Sequence, residues 1–530
     1  PPRRAFINEA VCEGCGDCGL RSNCLSVVPV ETEMGRKRAI DQSSCNKDFS
    51  CVEGFCPSFV TVHGGSLRKP KGLGPLSFPE LPDPKLPDME PPYDIVVTGV
   101  GGTGVVTIGA LLGMAAHLEG KGVSVLDMTG LAQKGGSVVS HVRIAATPQD
   151  INAVRIAAGN ARLLLGCDLV VAAGAEALAK VTPGVTHAVI NSHQSATSGL
   201  LRDPDLKFPA HSMERAIVNA TGEGKTHLLN ATRLATGLMG DAIAGNLFML
   251  GYAYQCGLVP ISGDAIERAI ELNGVAIEAN KQAFVWGRRT AHDPTAVECL
   301  LQPDAPVQKR LDRLGDIVKH RMEQLTEYQN AALARRYQTL VARVHAAEEA
   351  LLSGHTELSK AVARNYARLL SYKDEYEVAR LFTDGRFRQS LENRFEGDYT
   401  LEFHLAPPVF ARTDPNTGHL IKQRYGPWMM RAFHVLAKLR VLRNTPLDFF
   451  GYAAERQAER ALIEQYESTV DQLLAELSPR NHDIAVEIAA LPQSVRGYGH
   501  VKEANLVSAR ERLAELMAAF HNPPSLARAA

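Results

Sequence analysis

The sequence predicts an α/β protein in three parts: a small cysteine-bearing domain over residues 1–65, an α/β domain on a parallel sheet over 93–290, and a mainly helical domain over 300–530. A proline-rich linker, 66–92, separates the first two. Three observations predict this. Seven of the ten cysteines lie between Cys12 and Cys56. A glycine-rich turn at 99–104 joins a β-branched run to a helical one. Beyond residue 300, charged residues alternate with apolar stripes at helical spacing. At 530 residues, 45% hydrophobic and 22% charged, the chain is long enough for several cores. A formal net charge of −1 gives neither sign a dominant field, which argues against nucleic acid or an anionic membrane as the main partner. No basic-then-apolar leader is visible, and no apolar run approaches the roughly 20 residues of a bilayer span. A soluble, cytoplasmic chain is expected. It begins with Pro1, which would suit a piece of a longer polypeptide.

The first part is defined by VCEGCGDCGLRSNC, residues 11–24, and SSCNKDFSCVEGFCPSF, residues 43–59. Disulfides, zinc and an iron–sulfur cluster compete for these thiols. An odd count in a chain read as cytoplasmic suits disulfides poorly. Zinc favours two separated CxxC pairs, each supplying half a tetrahedron. Cys12, Cys15 and Cys18 instead recur at two-residue spacing in one run. Such a run wraps three corners of a cubane, and a distant Cys-Pro, here Cys56-Pro57, supplies the fourth. The favoured reading is a ferredoxin-like domain with a [4Fe-4S] cluster on Cys12, Cys15, Cys18 and Cys56. Cys24, Cys45 and Cys51 are the natural remnant of a second site, but two cubanes need eight thiolates and seven are present. Either Asp48 or a residue of another chain completes the second site, or one cluster exists and these thiols are bystanders. Cys167, Cys256 and Cys299 read as core thiols.

Residues 66–94 carry eight prolines in 29 positions, too many for a helix or central strand. They suit a semi-rigid tether, or a segment lying along a partner's surface. The next domain opens with a strand at 95–98, a turn containing Gly99, Gly101, Gly102 and Gly104, and a helix over 105–118. The glycines fit G-x-G-x-x-G, the Rossmann-like signature of a phosphate-bearing ligand at a helix N-terminus, and the strand VSVLDM places Asp127 where a ribose-binding acid would sit. The alternative is that these glycines only permit tight strand–helix packing. Further strands are expected at DLVVAAG, around Val170, and THAVINS, around Val189, with two or three packed helices over 241–284. In the loop TGLAQKGGSVVSHV, Gln133, Lys134, Gly135 and Gly136 offer an ammonium beside flexible backbone amides, suited to a phosphate or to plain solvent.

The cysteine block, with VTGVGGTGVVTIG and DMTGLAQKGGSVVSHV, closely resembles the C-terminal half of the fused indolepyruvate ferredoxin oxidoreductases of the 2-oxoacid:acceptor oxidoreductase superfamily. The motifs that carry the resemblance lie within residues 1–290. In that family thiamine diphosphate decarboxylates an arylpyruvate, iron–sulfur clusters pass electrons singly to ferredoxin, and coenzyme A captures the acyl group. The family's α/β domain of this kind, the gamma domain, is associated with coenzyme A and covers the thiamine site. The resemblance therefore implies that Gly99, Gly101, Gly102, Gly104, Gln133, Lys134, Gly135 and Gly136 contact the nucleotide or the neighbouring thiamine region. No GDG-to-asparagine thiamine motif is found, so thiamine diphosphate and Mg are expected on a partner subunit or N-terminal half. This chain is then the electron-relay and coenzyme-A-side half of an oligomer, with ferredoxin as electron acceptor and catalytic residues unassigned.

Past residue 300, Leu311, Leu314, Ile317 and Val318 mark the apolar face of a helical bundle. Between 412 and 448 seven basic residues (Arg412, Lys422, Arg424, Arg431, Lys438, Arg440 and Arg443) face two acids. That excess suits an acidic partner or a solvated helix face. His404, His434, His482 and His500 are too dispersed for a metal. Two other functional classes stay open: an iron–sulfur reductase using NAD(P) or flavin, and a non-catalytic assembly subunit.

Overall fold

The computed structural model of the protein describes residues 3–68, 80–130, 136–194, 199, 203–301, 311–407 and 411–523. Its first strands are β1 (Arg3–Ile7), β2 (Val27–Thr32), β3 (Gly35–Ile40) and β4 (Phe59–Leu67). β2 and β3 form an antiparallel hairpin that turns at Gly35, whose φ of +92° a side chain would resist. β1 pairs antiparallel with β4, and the two cysteine loops are strung between these elements.

The central sheet contains β5 (Tyr93–Val100), β6 (Gly122–Thr129), β7 (Ser137–Ala145), β8 (Leu163–Gly166), β9 (His187–Asn191) and β10 (Thr226–Leu229), in the order β10-β9-β8-β5-β7-β6. β5, β8, β9 and β10 are parallel, as an α/β fold requires. The sequence reading of a parallel sheet misses one strand: β7 runs antiparallel between β5 and β6. β5 and β6 consequently point the same way without touching, and the loops that follow them leave the sheet at the same edge. Asp127 therefore sits on an edge strand two positions from the glycine turn's strand, where it accepts a 2.6 Å hydrogen bond from the Ser140 hydroxyl. This is not the neighbouring-strand position of a ribose-binding acid.

The strand expected around Val170 is also displaced. Leu163–Gly166 forms the strand, and Asp168 then caps a short helix, Leu169–Ala172, by accepting from the Val171 amide at 3.0 Å. An aspartate in that position stops a strand and starts a helix. The strand at 187–191 lies within the run expected for it, and the helices expected over 241–284 are Gly245–Gln255, Gly263–Asn273 and Ile277–His292. The first and third cross closely: a Cβ on Gly251 would stand 2.0 Å from the Phe284 carbonyl oxygen. The described part of the proline-rich segment lies on these helices. The Pro82 carbonyl accepts from Gln255, and Asp83 pairs with Arg288 at 3.0 Å.

Beyond residue 311, the helices Leu314–Tyr328, Ala331–Leu351, Glu357–Leu370 and Ala454–Glu476 pack around a shared core, with Ile317 buried in it and Leu311, Leu314 and Val318 against it. The region is not wholly helical. Strands β11 (Phe395–Leu405) and β12 (Gln423–Tyr425) leave it to extend the N-terminal sheet in the order β1-β4-β11-β12. Phe403 lies opposite Val60 in an antiparallel register. Phe6, Phe382, Phe387, Phe395, Phe403 and Phe433 fill one core beneath this composite sheet, and the Phe382 and Phe433 rings stack 5.0 Å apart. Among the described residues no helix is long and apolar enough to cross a membrane.

Candidate functional site

The first cysteine loop turns tightly because two glycines take conformations that side chains avoid, Gly14 at φ +70° and Gly16 at φ +84°. A Cβ on Gly14 would overlap the Arg36 carbonyl oxygen at 2.1 Å, so the loop lies directly on β3. The loop then enters the helix Asp17–Ser22, which carries Cys18. The second loop, over 51–56, is tied to the first through Asp17, whose carboxylate accepts the Phe55 amide at 2.6 Å.

These contacts bring Cys12, Cys15, Cys18 and Cys56 around one small, mostly enclosed cavity of about 10 Å³. Arg38 lines the same cavity, and its Nη1 is buried with no hydrogen-bond partner. The Gly14 amide donates to the Cys12 sulfur at 3.3 Å, and the Cys56 sulfur lies 2.9 Å from the Ser58 hydroxyl. Burial pushes the Cys15, Cys18 and Cys56 thiols up, and the other thiols of the set push them further; Lys422 opposes this at Cys56. Ionising several thiols here therefore requires added positive charge.

Cys24 and Cys51 are buried in one apolar cluster with Cys12 and Cys18, and Cys45 and Cys56 pack against it; electrostatics, not packing, sets Cys24, Cys45 and Cys51 apart. Burial raises the Cys45 and Cys51 thiols, Cys51 to about 12; Cys24 and Asp48 act on both, and Cys45 also on Cys51. The seven thiols thus fall into a group of four and a group of three with a nearby carboxylate. All ten cysteines are free. Among the described residues no group of three or more His, Cys, Asp or Glu closes on a single point as one ion would require. Cys167 is buried and Cys256 partly so, but Cys299 is exposed and not a core thiol.

The glycine turn is built for close approach. A Cβ on Gly99 would stand 2.6 Å from Val105 Cγ2, whereas Gly102 and Gly104 are required by their φ of +87° and +93°. The Gly101 amide donates to the Gly136 carbonyl at 2.7 Å, joining the loops after β5 and β6. Asn246 holds the turn by donating to the Thr103 carbonyl at 2.8 Å. The helix Val105–Leu118 begins at Gly104 with no side-chain cap. Gln133, Lys134 and Gly135 lie outside the described residues.

Several residues of the cysteine site have no signal near the cysteines in the sequence. Lys373 donates to the Val11 and Cys12 carbonyls, each at 3.2 Å, and pairs with Glu13 at 2.5 Å; Arg368 pairs with Glu13 at 2.8 Å. Burial acts to raise the Glu13 carboxyl, but Lys373, Lys37 and Arg368 together hold it well below the usual range. Lys422 donates to the Val52 and Gly54 carbonyls at 2.8 and 2.6 Å. The basic run around 412–448 is thus not one solvated face. Lys422 points at the second cysteine loop, and Arg443 is buried against Asp374, with hydrogen bonds of 2.6 and 2.8 Å. His404 lies in the composite sheet 2.8 Å from the Thr61 hydroxyl; burial and then Lys422 and Arg424 push it down to about 4, so it is neutral.

Residues 94–290 match the family described as pyruvate ferredoxin/flavodoxin oxidoreductase, and residues 314–515 match a family of unknown function. Indolepyruvate oxidoreductase subunit IorB of Pyrococcus horikoshii is 30% identical over 204 residues, 38% of this chain and 96% of that protein. The chain belongs to the indolepyruvate oxidoreductase IorB family. The same subunit of Thermococcus kodakarensis is 29% identical over 204 residues, again 38% of this chain and 96% of that one. Among solved structures, the pyruvate oxidoreductase subunit PORC of Thermotoga maritima is 20% identical and covers 37% of this chain and 96% of its own, with a TM-score of 0.28. The family match over 94–290 agrees with the resemblance carried by the glycine motif and begins after the cysteine block.

Proposed function

We propose that this chain is the electron-relay and coenzyme-A-side half of a thiamine-dependent 2-oxoacid:ferredoxin oxidoreductase, with an aryl pyruvate such as indolepyruvate as the substrate of the whole complex. The observation that carries the reading is the convergence of Cys12, Cys15, Cys18 and Cys56 on one buried cavity beside an unpartnered Arg38 guanidinium nitrogen. These four residues would hold a [4Fe-4S] cluster. Bound there, it supplies one-electron transfer. A single zinc ion would need its sulfur ligands about 2.3 Å from one centre, and among the described residues no three of these thiols close on one point in that way. Cys24, Cys45 and Cys51 are assigned to a second cluster, with Asp48 the nearby candidate for its remaining position.

The glycine turn has a different task. Its backbone amides and the uncapped helix start after Gly104 suit a phosphate of coenzyme A, with Gly136 fixing the turn and Gln133, Lys134 and Gly135 assigned to the same ligand from sequence. Thiamine diphosphate and Mg belong to the partner half, and ferredoxin takes the electrons.

The deciding experiment is iron and acid-labile sulfide analysis of the anaerobically purified chain and of Cys15→Ser. The wild-type chain should carry at least about four irons with broad visible absorption, and the variant should lose them at the first site. Stoichiometric zinc without sulfide would overturn the assignment.

A further inference from the structure

The two loops that carry the first thiol set are held from outside by the region matched to a family of unknown function. Lys373 binds the Val11 and Cys12 carbonyls, and the Tyr498 hydroxyl donates to the Val11 carbonyl at 2.7 Å. Lys422 binds the Val52 and Gly54 carbonyls of the other loop and lies 5.1 Å from the centre of the Phe59 ring. A Cβ on Gly54 would stand 2.8 Å from Cys18 Cα, so this ammonium sits directly behind the junction of the two loops.

The two lysines differ electrostatically. Lys373 is ion-paired with Glu13, a carboxylate it shares with Arg368. Lys422 forms no ion pair among the described residues; burial pushes its ammonium down, and Cys56, Cys18 and then Asp17 oppose that when ionised. It brings a buried positive charge to the thiols, as Arg38 does where it lines the cavity.

We propose that the region over 314–515 is a clamp on the cysteine loops, and that Lys422 within it is a positioning residue that sets how readily the group bound by Cys12, Cys15, Cys18 and Cys56 accepts an electron. The inference rests on the cluster reading. Four thiolates and a [4Fe-4S] core in its oxidised form carry two net negative charges, and uptake of one electron makes three, with no bond made or broken. An ammonium outside any ion pair favours the more negative form. At an effective dielectric of about 20, a unit charge about 10 Å from the redox group biases the equilibrium about tenfold.

The test is a mediated dithionite titration of the full chain, with reduced clusters followed by electron paramagnetic resonance and iron counted in parallel. Lys422→Gln retains an amide donor for the carbonyls but removes the charge. It should keep its iron and become about tenfold harder to reduce, a shift of about 59 mV to more negative potential for one electron. Lys422→Arg should restore the wild-type midpoint. A Gln variant with full iron and an unchanged midpoint overturns the proposal, as does an Arg variant shifted as far as Gln. If Gln does not keep its iron, Arg decides: iron and midpoint both retained support the charge requirement, and loss of iron in both variants overturns it. A wild-type chain without iron and sulfide would instead overturn the cluster reading beneath it.

Discussion

Replacing Gly54 by alanine isolates the contact that brings the two cysteine loops together. Gly54 has φ −55° and ψ 134°, which any residue adopts, so the backbone does not require glycine there. The space does. An added Cβ would lie 2.8, 2.9 and 3.0 Å from Cα, Cβ and N of Cys18. Carbon atoms are comfortable at about 3.5–4.0 Å, so the loops must part by about 0.7 Å or more. Backbone atoms cannot rotate away, and overpacking of this kind costs about 1–3 kcal/mol. Because Gly54 is two residues from Cys56, the displacement moves Cys56 away from Cys18. Gly35→Ala is the control: φ is +92° but nothing lies within 4 Å of its Cβ, so only the left-handed penalty of about 1–2 kcal/mol applies. Both variants should lose comparable thermal stability, while iron per chain and visible absorption should fall only in Gly54→Ala. Equal iron in the two variants would refute the argument.

Other outcomes follow from features at greater distance. Asp374→Asn or Arg443→Met breaks a buried ion pair and should cost about 3–5 kcal/mol, with the double variant well short of the sum in denaturant titrations. Cys45→Ser should lower iron from about eight to about four per chain if the second site is filled, with loss of magnetic coupling between clusters. Burial acts to raise the Glu348 carboxyl, but hydrogen bonds from Ser359, His482 and the Leu358 amide hold it below the usual range. Its stabilisation is therefore full above about pH 4.3 and lost as pH falls through the lower folded value; Glu348→Gln should flatten that acid limb of the denaturation midpoint. Gly104→Ala, at φ +93°, should weaken coenzyme A use by the assembled enzyme and leave iron content unchanged.

Much of this architecture was legible where short-range rules govern. The glycines at 99–104, the helix at 105–118 and the grouping of cysteines by spacing are local signals, and the structure places those residues together. The antiparallel β7 was not legible, because a strand buried on both faces reads the same in either direction. The helix at 169–172 was missed because VVA is apolar enough for a strand, and the Asp168 cap outweighed it. Lys422 and Lys373 lie hundreds of positions from the loops they hold. Lys373 arrives with the helices on either side of it, which reach Glu13 through Arg368 and Asn8 through Leu381. The basic run around Lys422 marks it no differently from a solvated face, and the pairing of β12 with β11 and of β11 with β4 brings it near.

That pairing also dictates an order of events during synthesis. Thr61 and His404 are 343 residues apart yet share a hydrogen bond across adjacent strands. At about 5–20 residues per second, the ribosome needs roughly 17–70 s to go from one to the other. Throughout that interval the edge of β4 that will receive β11 is a bare strand edge, open to pairing with other chains, and the lysines that will hold the cysteine loops do not yet exist. The contacts that Lys373 and Lys422 make with the cysteine loops therefore form only after a further 317 and 366 residues beyond Cys56 have been made.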